Sequence, residues 1–197
     1  MGEVVFDIET QNIFKDPGVR DHRDLKVSVV CLYDYATDQF LSFKEDEITK
    51  MWPYFEKADR LIGYNSKFFD VPVLQNYYGG DLSKIPHLDI LEHIKNALGF
   101  RLKLNDVANA TLGVEKSADG LQAVEWFKQG DWENIIKYCT DDVRITRDVY
   151  EFGKKNKQLF FKDLLKNTTR PFPINFLAPL ASGTVASPVG INLTLPF

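Results

Sequence analysis

The sequence predicts a mixed α/β domain: a sheet whose first three strands run antiparallel, with helices on its faces. Three observations predict it. Strand-like runs at 3–9, 27–33 and 39–43 come first, helical and strand patterns then alternate, and a long amphipathic stretch at 131–152 closes the series.

Residues 3–9 alternate, with Val4, Phe6 and Ile8 on one side and Val5, Asp7 and Glu9 on the other. Polar residues 11–24, with Pro17-Gly18 as a turn signal, form a loop. The nearly continuous apolar run 27–33 suits a central strand, 34–38 turns, and 39–43 pairs back. Residues 45–58 read as a helix, weakened by Pro53, and 60–64 is a short strand. A helix starts near Asp70, with Pro72 tolerated in its first turn. Asp89 and Glu92 have capping-box spacing for a helix that runs to about Leu98 and stops at Gly99. Short helices follow at 104–111 and 119–128. In the stretch 131–152, Asp131 can cap, Trp132, Ile135, Ile136, Cys139, Val143, Thr146 and Tyr150 form one stripe, and Gly153 ends it.

At 44% hydrophobic and 26% charged residues, the 197-residue chain is not a wholly disordered one. It has no apolar run of about 18 residues, so no transmembrane helix is expected. Its first residues carry acids where a secretory signal carries Lys or Arg, and Cys31 and Cys139 lie inside apolar patterns. The expectation is a cytoplasmic protein with reduced, buried thiols. Residues 1–150 hold 18 basic and 26 acidic side chains, whereas 151–170 hold six basic and two acidic, and 171–197 hold none. The boundaries expected are a compact domain over 1–153, a basic helical extension over 154–170, and an uncharged, Pro-rich irregular tail over 171–197. An acidic body binds nucleic acid poorly unless cations offset its carboxylates at a local site.

Three groups of residues carry chemistry. Asp7 and Glu9, two apart on a strand, project from one face about 7 Å apart. On a central strand they repel and lose hydration unless a cation sits between them; the plainer alternative is an edge strand with a solvated acidic face. Asn65-Ser-Lys-Phe-Phe-Asp70 follows the fourth strand; alternatively, Asn65 is a turn residue, Phe68 and Phe69 are core and Asp70 is a helix cap. Tyr138 and Asp142 stack one helical turn apart, with Asp142 beside the apolar stripe and Asp141 turned toward solvent; a buried Tyr–Asp hydrogen bond would explain the pair equally well. Taken together, four carboxylates and a phenol can converge on one cluster, and such an all-oxygen set suits Mg²⁺ or Mn²⁺ rather than zinc.

Phe6-Asp7-Ile8-Glu9-Thr10, Asn65-x-x-x-Phe69-Asp70 and Tyr138-x-x-x-Asp142 stand in the order of the three motifs of the DEDDy 3′–5′ exonucleases, which the sequence resembles over about residues 2–153. The wording is closest to proofreading domains of family-B DNA polymerases and to stand-alone ribonuclease-H-like exonucleases. Lys137 occupies the position where the sister DEDDh group carries His. The resemblance implies a ribonuclease-H-like fold with a five-stranded mixed sheet. It also implies a metal-dependent exonuclease that uses two Mg²⁺ or Mn²⁺ ions to release nucleoside 5′-monophosphates from single-stranded DNA or RNA 3′ ends. Asp7 would bridge the ions, Glu9 and Asp142 would complete the tighter site, Asp70 would hold the second ion, and Tyr138 would orient the attacking water. Thr10, Asn65, Lys67 and Phe69 would contact substrate.

Phe14, Tyr64 and Phe68 are candidates to stack on terminal bases, although such aromatics are usually core. Arg20, Arg23 and the basic segment 151–170 are candidates for backbone contacts. Two other readings are an endonuclease of the same superfamily and a non-catalytic module that binds nucleic acid or docks on a replication or repair partner through the tail. Retention of all four acids and the tyrosine weighs against the module.

Overall fold

A computed structural model describes residues 2–114, 120–163 and 166–177. The strands β1 (Glu3–Thr10), β2 (Val27–Asp34) and β3 (Gln39–Lys44) form the antiparallel half of a five-stranded sheet. A 3-10 stretch, Glu45–Lys50, and the short helix α1 (Trp52–Lys57) then lead to β4 (Arg60–Gly63). Helix α2 (Asp70–Leu74) precedes β5 (His87–Asp89), and α3 (Ile90–Leu98), α4 (Leu104–Leu112), α5 (Gly120–Gln129) and α6 (Trp132–Asn156) follow. The sheet order is β3-β2-β1-β4-β5, with β1, β4 and β5 parallel. A sheet flanked by helices is therefore what the chain forms, and β1 lies at its centre rather than at an edge.

The alternation in β1 separates two cores. Val4, Phe6 and Ile8 pack with Leu32, Met51, Phe55 and Leu74 on one face. Val5 packs with Cys31, Ile135, Cys139 and Val143 on the other, under α6. Asp7 and Glu9 are in phase with Val5, so they face α6. The single helix expected over 45–58 is two pieces, because Pro53 sits in the first turn of α1, where its missing N–H costs nothing. The three-residue β5 is too short to leave a pattern in the sequence.

The extension differs from the sequence reading. A helical 154–170 is found only at its start, since α6 ends at Asn156 and Lys157 takes a left-handed φ of 57°. Two strands follow, β6 (Gln158–Asp163) and β7 (Thr168–Pro173), paired as an antiparallel hairpin. The lysines favour a helical reading, but Leu159 and Phe161 pack on the outer core in extended form. The expected irregular tail begins as strand β7 and continues with Ile174 and Phe176 buried against α6; residues 178–197 lie outside the described residues. Both cysteines are free and buried. Among the described residues no helix is long and apolar enough to cross a membrane.

Candidate metal centre

The centre forms where the C-terminal half of β1 meets α6. Asp7 is half-buried, and Glu9 and Asp142 are only 8% and 5% exposed. One carboxylate oxygen from each lies within 4.8 Å of the others. Strand pairing explains half of this geometry: Asp7 sits opposite Cys31 in β2, and the register slips between Glu9 and Thr10, so a bulge re-aims the strand end beside Glu9. Helix periodicity explains the rest, because the stripe of α6 that covers β1 presents Asp142 beside Val143 and Cys139. Asp141 faces outward, as its spacing predicts, and pairs with Lys137 at 3.0 Å and with Arg144.

Neighbours hold the acids in place. The Cys139 thiol lies 3.4 Å from the carbonyl oxygen of Asp7 and 3.8 Å from its Oδ2, and burial pushes its pKa well above the usual thiol range. It is therefore a neutral donor to Asp7 rather than a reactive thiolate. Tyr138 is 3% exposed and meets the ring of Trp126 in α5 edge-on, with centroids 6.0 Å apart.

Asp70 stands apart from the three converging acids, one peptide away. β4 pairs with β1 only as far as Val5, and the N–H of Ile8, between Asp7 and Glu9, donates to Asp70 Oδ1 at 3.2 Å. Asp70 does not cap α2. It is 3% exposed; burial, with the charges of Asp89 and Asp142 adding to it, pushes its carboxyl up to about 8. Such a group ionises readily at neutral pH only beside a cation.

The turn that carries Asp70 is fixed by a residue the sequence reading took for a helix cap alone. Asp89 is 1% exposed and does cap α3 through the Leu91 N–H at 2.9 Å, but it also accepts from the backbone N–H groups of Asn65 at 2.8 Å and Lys67 at 3.0 Å. Asn65 has a φ of +63°, and its side-chain oxygen accepts from Arg101. Lys67 spends its ammonium on Glu92 at 2.8 Å. Thr10 is buried and donates to the carbonyl of Asn12 at 2.8 Å, while Phe69 is half-buried among other rings. Arg23 pairs with Asp21 at 2.7 Å. The same turn needs Gly63, since a Cβ there would stand 2.2 Å from Ser66 Oγ. Sequence spacing marks Asp89 only as a helix cap and Arg101 not at all, because their partners in the turn are brought close by the crossover rather than by sequence proximity.

His87 also supports this turn, with Nε2 2.9 Å from Ser66 Oγ and its ring 5.5 Å from Phe6. Burial, helped by the Lys67 charge, pushes its pKa down to about 3. An imidazole held neutral in the fold supplies stability that is present above its unfolded pKa of about 6.5 and is lost as pH falls toward 3. His87→Gln cannot acquire the charge, so its melting temperature is expected to fall less than that of the wild type between pH 6.5 and pH 4. Parallel melting curves over that range would count against this source of acid sensitivity.

The donor set fits a hard divalent cation: three carboxylates from three positions, with no imidazole or thiol among the converging atoms. A family model described as the RNase H superfamily matches residues 4–152. No curated protein matches the chain. Among solved structures, the chain is similar to a family B DNA polymerase from the hyperthermophilic archaeon Pyrobaculum calidifontis, with 18% identity and a TM-score of 0.58. That likeness covers 77% of this chain and only 24% of the polymerase, so the chain spans about a quarter of its length.

Proposed function

The chain belongs to the RNase H superfamily, and on that premise we propose that it is a divalent-metal-dependent 3′–5′ exonuclease acting on single-stranded ends of DNA or RNA. The observation that carries this reading is the approach of Asp7, Glu9 and Asp142 to within 4.8 Å. Three carboxylates held that closely, two of them buried, repel one another unless an ion lies between them.

Asp7, Glu9 and Asp142 would hold one ion, and Asp7 with Asp70 a second. Bound there, Mg²⁺ or Mn²⁺ would supply Lewis-acid stabilisation of the charge that develops at phosphorus and would favour hydroxide over water. The chain's own groups do the rest. Tyr138, one helical turn before Asp142, donates a hydrogen bond that positions the attacking water, rather than taking its proton. Asn65, oriented by Asp89 and Arg101, contacts the terminal nucleotide. Water attacks the last phosphodiester in line, the bond to the 3′ oxygen breaks, and a nucleoside 5′-monophosphate leaves.

The test is digestion of 5′-labelled single-stranded DNA and RNA with Mg²⁺ or Mn²⁺. A ladder that shortens from the 3′ end and stops on chelation is expected. Internal cuts would instead indicate an endonuclease, and binding with no cleavage a non-catalytic module. Tyr138→Phe is expected to lower kcat about 10- to 100-fold by loosening the water, while metal still raises its melting temperature as in the wild type. A variant that lost the metal response as well would place the phenol among the groups that build the ion site.

A further inference from the structure

The only two cysteines of the chain meet beside the carboxylates, and the reaction proposed above uses neither. Cys31 stands opposite Asp7 in the antiparallel pairing of β2 with β1. Such partners point to one face of the sheet with Cβ atoms about 4.5–5.5 Å apart, so Cys31 and Asp7 both lie under α6. Cys139 comes down from α6 onto this pair. Its Sγ is 3.8 Å from Asp7 Oδ2 and 3.4 Å from the Asp7 carbonyl oxygen, and it also meets the Cys31 thiol. Cys31 Sγ in turn lies 3.8 Å from the carbonyl oxygen of Ile136 and accepts from the Thr140 hydroxyl at 3.5 Å. Both thiols thus sit under one turn of α6, residues 136–140, with a carboxylate oxygen at their rim.

Two sulfurs and one oxygen are a softer donor set than the oxygen cluster of Asp7, Glu9 and Asp142, and they suit Zn²⁺ or Cd²⁺ rather than Mg²⁺. Zn–S bonds of about 2.3 Å and Zn–O bonds of about 2.1 Å together exceed the distance from Cys139 Sγ to Asp7 Oδ2, so one ion can reach both atoms with α6 in place. The thiols are fully buried whereas Asp7 is only half-buried, which leaves the carboxylate as the way in. A soft ion that arrives there displaces each thiol proton to water as its metal–sulfur bond forms. The Thr140 hydroxyl, already directed at Cys31 Sγ, then donates to a thiolate.

We propose that Cys31, Cys139 and Asp7 form a separate, soft metal site for a thiophilic divalent ion such as Zn²⁺ or Cd²⁺, and that filling it draws Asp7 away from Glu9 and Asp142. Two metal–sulfur bonds and one metal–oxygen bond form, and two protons leave. The ion therefore silences the hard centre. That consequence rests on the nuclease reading; the site itself does not.

The experiment titrates Cd²⁺ into the full chain and follows the ultraviolet thiolate-to-cadmium charge-transfer band. The chain has no other cysteine, so the band reports on this pair alone. Wild type should reach an end point at one ion per chain, with a rise in melting temperature that shows the folded state binding the ion. Cys31→Ala and Cys139→Ala should each bind about 100-fold more weakly or worse, since loss of an outer-shell partner alone costs about 10- to 100-fold. No band in wild type, or unchanged affinity in both variants, would overturn the site; the first of these tests needs no variant to fold. In Mg²⁺, digestion of a labelled oligonucleotide by wild type should stop at about one equivalent of Cd²⁺, and Cys31→Ala should need about 100-fold more. Equal inhibition of the two would mean that the ion acts at the oxygen cluster and would overturn the coupling through Asp7, as would digestion that continues with the band fully developed. A band in a chain that never digests would refute the nuclease and keep the soft site. Digestion with no band would do the reverse.

Discussion

If the proposed function holds, Asp7→Asn is expected to lower kcat by about three orders of magnitude or more, because several kcal/mol of charge stabilisation in the transition state would depend on the ion it would help to hold. The same variant should be more stable than wild type in the absence of metal. Asp7 shares a 4.8 Å cluster with Glu9 and Asp142, and removing one of three neighbouring negative charges relieves their repulsion. A gain of about 1 kcal/mol would raise the melting temperature by about 2–4 °C in a chain of this size. Metal should reverse the ranking. An ion at 100 times its Kd adds about 2.7 kcal/mol to a folded state that binds it and nothing to one that does not. Melting curves of both proteins with Mg²⁺ and with chelator check the two stability statements, and digestion rates check kcat. A metal-free Asp7→Asn that melts below wild type would mean that the carboxylate is structural first, with the cluster held together by something other than an absent cation.

The second large effect lies at the far end of the sheet. Phe176→Ala is expected to cost about 3–5 kcal/mol, as large-to-small changes at fully packed aromatic positions do. Phe176 is 3% exposed, its ring lies 5.4 Å from Tyr150 and 5.5 Å from His93, and a Cβ on Gly153 would come within 2.5 Å of it. Its carbonyl accepts from Arg60 Nη1 at 3.1 Å, and Arg60 also donates to Tyr150 at 2.8 Å and pairs with Glu3. The segment after β7 thus joins the starts of β1 and β4 to the end of α6. Urea unfolding should show a lower midpoint with an unchanged slope. A loss below about 1 kcal/mol would mean that this segment rests on the domain without being part of its core.

The site was legible in the sequence to the extent that it obeys local periodicity. The two-residue period of β1 put Asp7 and Glu9 on one face, and the 3.6-residue period of α6 turned Asp142 inward and Asp141 out; both hold in three dimensions. What was not legible depends on chain crossings. Asp89 looks like an ordinary helix cap until β5 is laid beside β4, which brings it under the backbone of Asn65 and Lys67. Arg101 carries no pattern at all, and Tyr64, adjacent to the second motif, donates its hydroxyl to the carbonyl of Leu102. The hairpin of β6 and β7 was hidden for a different reason. Its lysines and prolines argue against strands, and only the packing of Leu159 and Phe172 on the outer core offsets those local preferences.

The hydrogen bond from Ile8 to Asp70 gives one acid two unequal duties, and this bears on how such a domain would decay. On the proposed function, a lineage released from selection for cleavage has no reason to retain the clustered acids at 7 and 142. Position 70 is different, because any replacement must still offer an oxygen to the central strand on the side where β4 does not reach it. In descendants that have fallen silent, Asp or Asn should therefore persist at 70 after the other two acids have drifted. A vestigial acceptor at that position marks the ancestry of the fold and says nothing of present activity.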